Sequence, residues 1–433
     1  MGSFAHFSFA GVYHFDTKSR VDPVVMTIFR EQDKNITVNE IAESVSCKYS
    51  TSVFVIRQRL DVMGFSIKNT KRDFEKFAAK KISELQEMLK ETLDVDGEND
   101  RIDYEDIDYG WPIDEFTCRE KIHVLKDFTF DDWFNAMREV IQRTCEEKSE
   151  KLIKKNQLIR YMLRFRSDDI DFPCNDIRYT LRVIAELVSG EDIVKYNYSD
   201  LVGGGYYSDD DNLVELSLSS LSQDYEVVSK IIVLTEGSTD TRVLQGSLNL
   251  LYPHLSDFYY FMDFDVSNAA GGTSYLVHAV KSFVGSGIKN RVIAIFDNDT
   301  AGKAEIKALD RTRIPPNIKV MQYPDLDLAK NYPTRGPGGD VTMDINGLAC
   351  SIEMYFGSDV LGKNGGYVPI QWKNYCEKIK QYHGGFSDKE KKGLGNAFRK
   401  KIDDCRQNPN QISQTDWEPM RLLLQTIFKT FSE

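Results

Sequence analysis

Arg291-Val292-Ile293-Ala294-Ile295-Phe296-Asp297-Asn298-Asp299 is an unbroken apolar run that ends on two acids one residue apart. A short continuous run rich in Val and Ile reads as a strand buried on both faces, the kind found in parallel sheets. Earlier in the chain, Ile231-Ile232-Val233-Leu234 runs into Thr235-Glu236-Gly237, and helix-like sequence follows to about residue 250. Phe258 to Phe264 and Ile318 to Tyr323 are two further strand candidates, and Gly271-Gly272-Thr273 opens another helical stretch. Strands alternating with helices predict an α/β fold around a mainly parallel, Rossmann-like sheet. Such sheets carry their sites at the carboxyl ends of the strands. Glu236, Asp297 and Asp299 fall there.

Acids at strand tips suit a hard cation. An Asp directly after a buried strand is held at the sheet rim, and two Asp one residue apart can face one ion where the chain turns. Mg²⁺ or Mn²⁺ takes oxygen ligands. Glu236 can reach the same space, to hold a second ion or to move a proton at a leaving oxygen. Asp240, four residues on, can share a side of the following helix. A lone Asp-x-Asp is more often a helix cap. Strand–Glu-Gly, strand–Asp-x-Asp and Gly302 shortly after it together point to metal.

Working outward, Ser8 to Tyr13 alternates like a strand, and residues 37–64 read as two short helices. Phe74, Phe77, Ala78, Ile82, Leu85, Met88 and Leu89 form an apolar helix stripe, expected to be core. Residues 91–115 hold eleven Asp or Glu and one Arg, the pattern of a solvated loop. Residues 131–190 read as helical. Their Lys151, Lys154, Lys155, Arg160, Arg164 and Arg166 could face a phosphate backbone or pair with nearby acids. Residues 198–212, with Gly203-Gly204-Gly205 and Asp209-Asp210-Asp211, are the best boundary candidate. Residues 365–433 read as mostly helical, with Lys389, Lys391, Lys392, Arg399, Lys400 and Lys401 as basic positions. The expected organisation is an N-terminal domain over 1–130, a helical linker domain over 131–227, a catalytic domain over 228–360 and a helical segment over 361–433.

The bulk properties narrow the class. At 433 residues the chain is long enough for two or three domains. A net charge of −12 argues against coating nucleic acid by bulk charge, but leaves room for a local basic groove. Seven scattered cysteines without a Cys-x-x-Cys pair read as free thiols in a reducing compartment. No apolar run approaches a membrane span and no secretory leader is legible, so the expected location is cytoplasmic.

Val233-Leu234-Thr235-Glu236-Gly237-Ser238-Thr239-Asp240 and Ala294-Ile295-Phe296-Asp297-Asn298-Asp299-Thr300-Ala301-Gly302 resemble the Toprim domain of topoisomerases, primases and OLD-family nucleases, the OLD type most closely. That resemblance spans about residues 228–357. It implies that Glu236, Asp297 and Asp299 hold Mg²⁺ or Mn²⁺, and that Asp240 contributes. It implies a later acid, for which Glu353 is the candidate, and a lysine that steadies the transition state, for which Lys330 is a guess. The opening Met1 to Ser8 and Asp22 to Glu31 resemble the N-terminal region of bacterial HEPN/Toprim-associated proteins, in which a common domain precedes a HEPN ribonuclease or a Toprim domain. These are suspected of anti-phage defence. Arg119 and His123 lack the ribonuclease spacing, and no Gly-x₄-Gly-Lys-Ser/Thr loop is present, so the Toprim branch fits without its own nucleotide gate.

The expected function is a metal-dependent nuclease acting on nucleic acid, with DNA the expected substrate, as a homo-oligomer and with a partner defence protein. Two other readings compete. A dehalogenase-like phosphatase needs Thr or Val where Ala301 stands. A DNA-binding regulator with a scaffold Toprim domain would use Asn39 through Leu60 as a helix-turn-helix.

Overall fold

The computed structural model describes residues 2–39, 44–95, 115–144, 157–164, 172–221, 229–263, 273–363 and 365–432. The acidic block and Lys151, Lys154, Lys155 and Arg166 fall largely or wholly outside them. The chain forms two compact units, residues 1–222 and 223–431.

The first unit is built on a five-stranded antiparallel sheet. Its strands are β1 (Phe4–Phe9), β2 (Tyr13–Lys18), β3 (Lys34–Asn39), β4 (Ser44–Ser52) and β5 (Ile193–Asn197), in the order β2-β1-β5-β4-β3. Alternation buries Ala5, Phe7 and Phe9, and Phe7 stands opposite Tyr196. The longer helices of this unit are α1 (Val53–Met63), α2 (Ile67–Val95), α3 (Glu115–Asp127), α4 (Phe130–Thr144), α5 (Gln157–Arg164) and α6 (Ile177–Leu187). Of the predicted stripe on α2, Phe74, Ala78 and Leu85 are buried, Phe77, Ile82 and Leu89 are half-buried and Met88 is exposed, so only part of it is core; Phe74 meets the rings of Phe130, Trp133 and Phe172.

Two expectations are corrected here. β5 pairs with both β1 and β4, so residues from both sides of the expected 130/131 boundary build one sheet. Residues 131–227 are therefore not a separate helical linker. Among the described residues, the helix-turn-helix expected over Asn39 to Leu60 is also absent. β3 and β4 pair in register from Lys34↔Tyr49 to Asn39↔Ser44, and of the described residues in that span only those of α1 are helical. Ile36-Thr37-Val38 has the two-residue period of a strand, which outweighs the helix-forming residues beside it. Arg59, on α1, is fully buried and donates to Asp33 and to the Ile28 carbonyl, so it cannot read a groove.

The second unit holds the parallel sheet. Its strands are β6 (Ile231–Leu234), β7 (Tyr259–Phe261), β8 (Val292–Phe296) and β10 (Ile318–Gln322), in the order β10-β8-β6-β7 and all parallel. The two-residue β9 (Asn298–Asp299) follows β8. All four predicted strands are present and the class is mixed α/β. Leu234, Val292, Ala294, Phe296 and Ile318 form one core with Leu276, Val277 and Val280 of α7 (Thr273–Ser286). Helix α8 (Ser238–Leu251), which follows β6, packs against α9 (Asp388–Gln407) and α10 (Glu418–Lys429).

A second sheet departs from the expectation of a mostly helical carboxyl end. β11 (Tyr332–Gly336), β12 (Gly339–Met343), β13 (Ile370–Cys376) and β14 (Gln381–Gly385) form it in the order β12-β11-β13-β14. The segment after 361 thus opens with a strand hairpin before its two helices. Among the described residues, no helix is long and apolar enough to cross a membrane.

Candidate metal centre

β6 and β8 are neighbours in the sheet and run the same way, so their carboxyl tips lie side by side. The chain leaves β6 through Thr235-Glu236-Gly237 and enters α8. Glu236 turns across the gap, and its Oε1 accepts the Asp297 backbone N–H at 2.9 Å. One strand tip therefore grips the next. The Asp297 carbonyl is held in turn by Gln322 Nε2 at 3.0 Å, from the tip of β10. Asp297 Oδ1 is buried with no hydrogen-bond partner among the described residues.

Asp299 serves two sides. Its Oδ1 accepts the Gly302 N–H at 2.7 Å, capping the short helix Thr300–Ile306, as a strand-to-helix Asp commonly does. Its Oδ2 faces His383 Nδ1 of β14 at 3.7 Å, too long for a hydrogen bond. Thr300 ties the same corner together, donating to the carbonyl of Tyr382 at 2.6 Å. Gly302 is required here. A Cβ at that position would collide with the Asp297 carbonyl oxygen.

Asp240 lies in the first turn of α8, and Glu353 on the 3-10 turn Ile352–Phe356. Glu353 is buried, accepts Ser351 Oγ at 2.5 Å and has Lys391 Nζ 3.9 Å from its other oxygen. Lys391 is set by a capping box at the start of α9, in which Ser387 caps Glu390 N–H and Glu390 accepts Ser387 N–H.

The electrostatics show that these groups share one space. Asp240 is pushed up to about 8 by burial and then by Glu353 and Glu236. Asp297 is held well above the usual carboxylate range by burial and by Glu236, Asp240, Asp299 and Glu353. Burial also raises Asp299, against the Gly302 N–H and His383. Burial works against the Lys391 ammonium, but Glu353, Asp297, Asp240 and Asp299 outweigh it and leave its pKa raised. His383 is lowered, chiefly by burial, which favours neutral imidazole.

The structure thus brings Glu236, Asp240, Asp297, Asp299 and Glu353 into one electrostatic cluster. It does not bring Lys330, whose ammonium is mostly exposed and bonds Asp327 at 2.7 Å. The lysine among the acids is Lys391, and His383 joins it. The sequence marked Lys391 only as one of several basic positions and passed over His383, although Ser387-Asp388-Lys389-Glu390 is a legible capping box immediately before Lys391. Among the described residues, no group of three or more His, Cys, Asp or Glu side chains is arranged as a ready-made metal cage. The acids converge without closing on a common point.

Residues 1–218, half of the 433, match the family described as HEPN/Toprim N-terminal domain 1. The chain belongs to that family. No curated protein and no solved structure matches the chain. The HEPN/Toprim N-terminal domain coincides closely with the first compact unit, residues 1–222. The acid cluster lies beyond it, in the second.

Proposed function

We propose that the second unit is a Toprim-type catalytic domain and that the chain is a divalent-metal-dependent nuclease, acting in bacterial anti-phage defence. The reading is carried by one observation: carboxylates from two adjacent parallel strand tips, joined by Asp240 and Glu353, crowd one space with Lys391 among them. Burying like charges together is costly unless a cation compensates them. The donor set is all oxygen, as Mg²⁺ or Mn²⁺ requires, and Asp297 keeps a buried oxygen without a partner. The residues fit such an ion in chemistry, and their side chains would have to turn inward to close on it.

Asp297 and Asp299, with Glu353, would hold one ion, and Glu236 with Asp240 a second. Bound there, the pair would neutralise the phosphate and lower the pKa of an attacking water. The chain's own part is then defined. The Asp297 N–H keeps Glu236 aimed at the gap. Lys391 offers its ammonium to the phosphoryl oxygens as charge builds on them. A water oxygen would bond to phosphorus and release a proton to solvent, the bond to the sugar oxygen would break, and that oxygen would take a proton delivered through Glu236. DNA is the proposed substrate, and the N-terminal domain is proposed to engage a partner defence protein or a second copy.

Cleavage assays with Mg²⁺ or Mn²⁺ test this. Asp297→Ala and Glu236→Ala are expected to abolish metal-dependent cutting, and Lys391→Ala to slow it by roughly 10²- to 10³-fold. Lys330→Ala should cut like wild type. Cutting that survives Asp297→Ala rejects the assignment of the site, and a wild type that cuts nothing with either metal favours a non-enzymatic role.

A further inference from the structure

Beside the acid cluster, α8 and α9 border an open cavity of about 370 Å³, lined by Thr239, Arg242, Val243, Gly395, Phe398 and Arg399. Both walls lead away from the cluster. Thr239 and Arg242 flank Asp240 on α8, while Gly395 and Arg399 follow Lys391 along α9 at one-turn steps. The lining therefore starts one residue from Asp240 on α8 and about one turn from Lys391 on α9, and runs on for about two helical turns, or roughly 11 Å.

Its chemistry is cationic at the rim and apolar below. Arg242 and Arg399 are exposed, and Thr239 adds a hydroxyl. Arg242 reaches Asp263 at 3.5 Å while its side chain stays mostly exposed. Phe398 forms part of the floor, but its ring is stacked on Phe356 at 4.1 Å and offers no free face to a base. No amide or carboxylate side chain lines the cavity, so its polar groups are the two guanidiniums and the hydroxyl. Guanidiniums, a hydroxyl and apolar walls fit phosphate and sugar.

We propose that this cavity is a track for the backbone of a single nucleic-acid strand. Phosphates next to the scissile one would sit between Arg242 and Arg399, held by charge and without regard to base identity. The proposal rests on the nuclease reading for the place of the scissile bond.

The test is fluorescence anisotropy of the full chain in EDTA, with labelled oligothymidylate, oligouridylate and a mixed-sequence DNA strand. Arg399→Ala and Arg242→Ala should each weaken binding about 5- to 10-fold and flatten the salt dependence by roughly 0.7 in log–log slope. Gly395→Glu should weaken it more. A Cβ at Gly395 meets nothing within 4 Å, so that variant places a negative charge in the track without disturbing the fold. Lys281→Ala, on the surface of α7, should bind like wild type. The loss should be equal for the thymidylate and mixed strands, and the uridylate arm distinguishes RNA from DNA as the polymer held. Wild-type affinity in the groove variants, a loss that depends on base sequence, or no binding by wild type would each overturn the track. Intact groove-dependent binding without any metal-dependent cutting would reject the nuclease reading alone. Cutting that ignores the groove variants would reject the track alone.

Discussion

Gly302 shows how tightly single residues are constrained at the acid cluster. Its missing side chain lets the Asp297 carbonyl and the Asp299 carboxylate close over the start of a helix. Gly302→Ala has no room, and is expected to cost about 1–3 kcal/mol of stability by urea denaturation. Asp240 gives a second prediction at this scale. Its folded pKa of about 8 lies above the ordinary carboxylate value of about 3.9. Between those values the folded chain holds a proton that the unfolded chain has released, so without metal this contribution to stability is full at low pH and is lost as pH rises toward 8. Urea midpoints in EDTA should fall between pH 5.5 and 8, and Asp240→Asn should flatten that fall. An unchanged slope in the variant would show that Asp240 is not the group responsible. Glu236, Asp297 and Asp299 were legible because they close apolar strands, whereas Asp240 followed from its place at the start of the next helix and Glu353 only from the Toprim resemblance. Lys391 and His383 were not, since neither local period nor spacing ties them to strand tips some ninety residues earlier in the chain.

Among the elements, the parallel strands were readable because each is a continuous apolar run. The hairpin β13–β14 was not. Ile370 to Cys376 mixes buried and exposed positions, Trp372 to Asn374 shifts register, and Gly384-Gly385 reads as a break rather than a strand. The β3–β4 hairpin was mistaken for helix because its apolar face is short and Ile36 and Val38 remain exposed. The basic face of α9 also divides in a way that residue type does not reveal. Lys391 faces the acids. Lys401 is buried and donates to the carbonyls of Phe356 and Asp416 and to Asp359 at 2.8 Å. It holds the helix to the turn that carries Glu353. Lys401→Met would keep the stem and strip the ammonium from three acceptors. It should lower stability by about 3–5 kcal/mol, measured by chemical denaturation. A loss under 1 kcal/mol would mean that water replaces the ammonium.

For the molecule as a whole, the division near residue 222 separates an antiparallel sheet from a parallel one, each with its own buried core. A fragment covering residues 223–431 is therefore expected to fold unaided, with a cooperative thermal transition and a helix-and-strand circular dichroism spectrum. Mg²⁺ or Mn²⁺ should raise its melting temperature, and Asp297→Ala should remove that gain. The domain count read from sequence was too high on the N-terminal side. A strand near residue 195 that completes a sheet begun at residue 4 leaves no local trace of its partner.

The hydrogen bond from the Asp297 N–H to Glu236 has a consequence for how the chain matures. It forms only when β6 and β8 are aligned as Ile232 beside Val292 and Leu234 beside Ala294. A sheet slipped by one residue would carry the same sequence but scatter its acids. An ion that prefers the converged acids would then favour correctly paired molecules over slipped ones during refolding, and so act as a proofreader of strand alignment before it served any reaction.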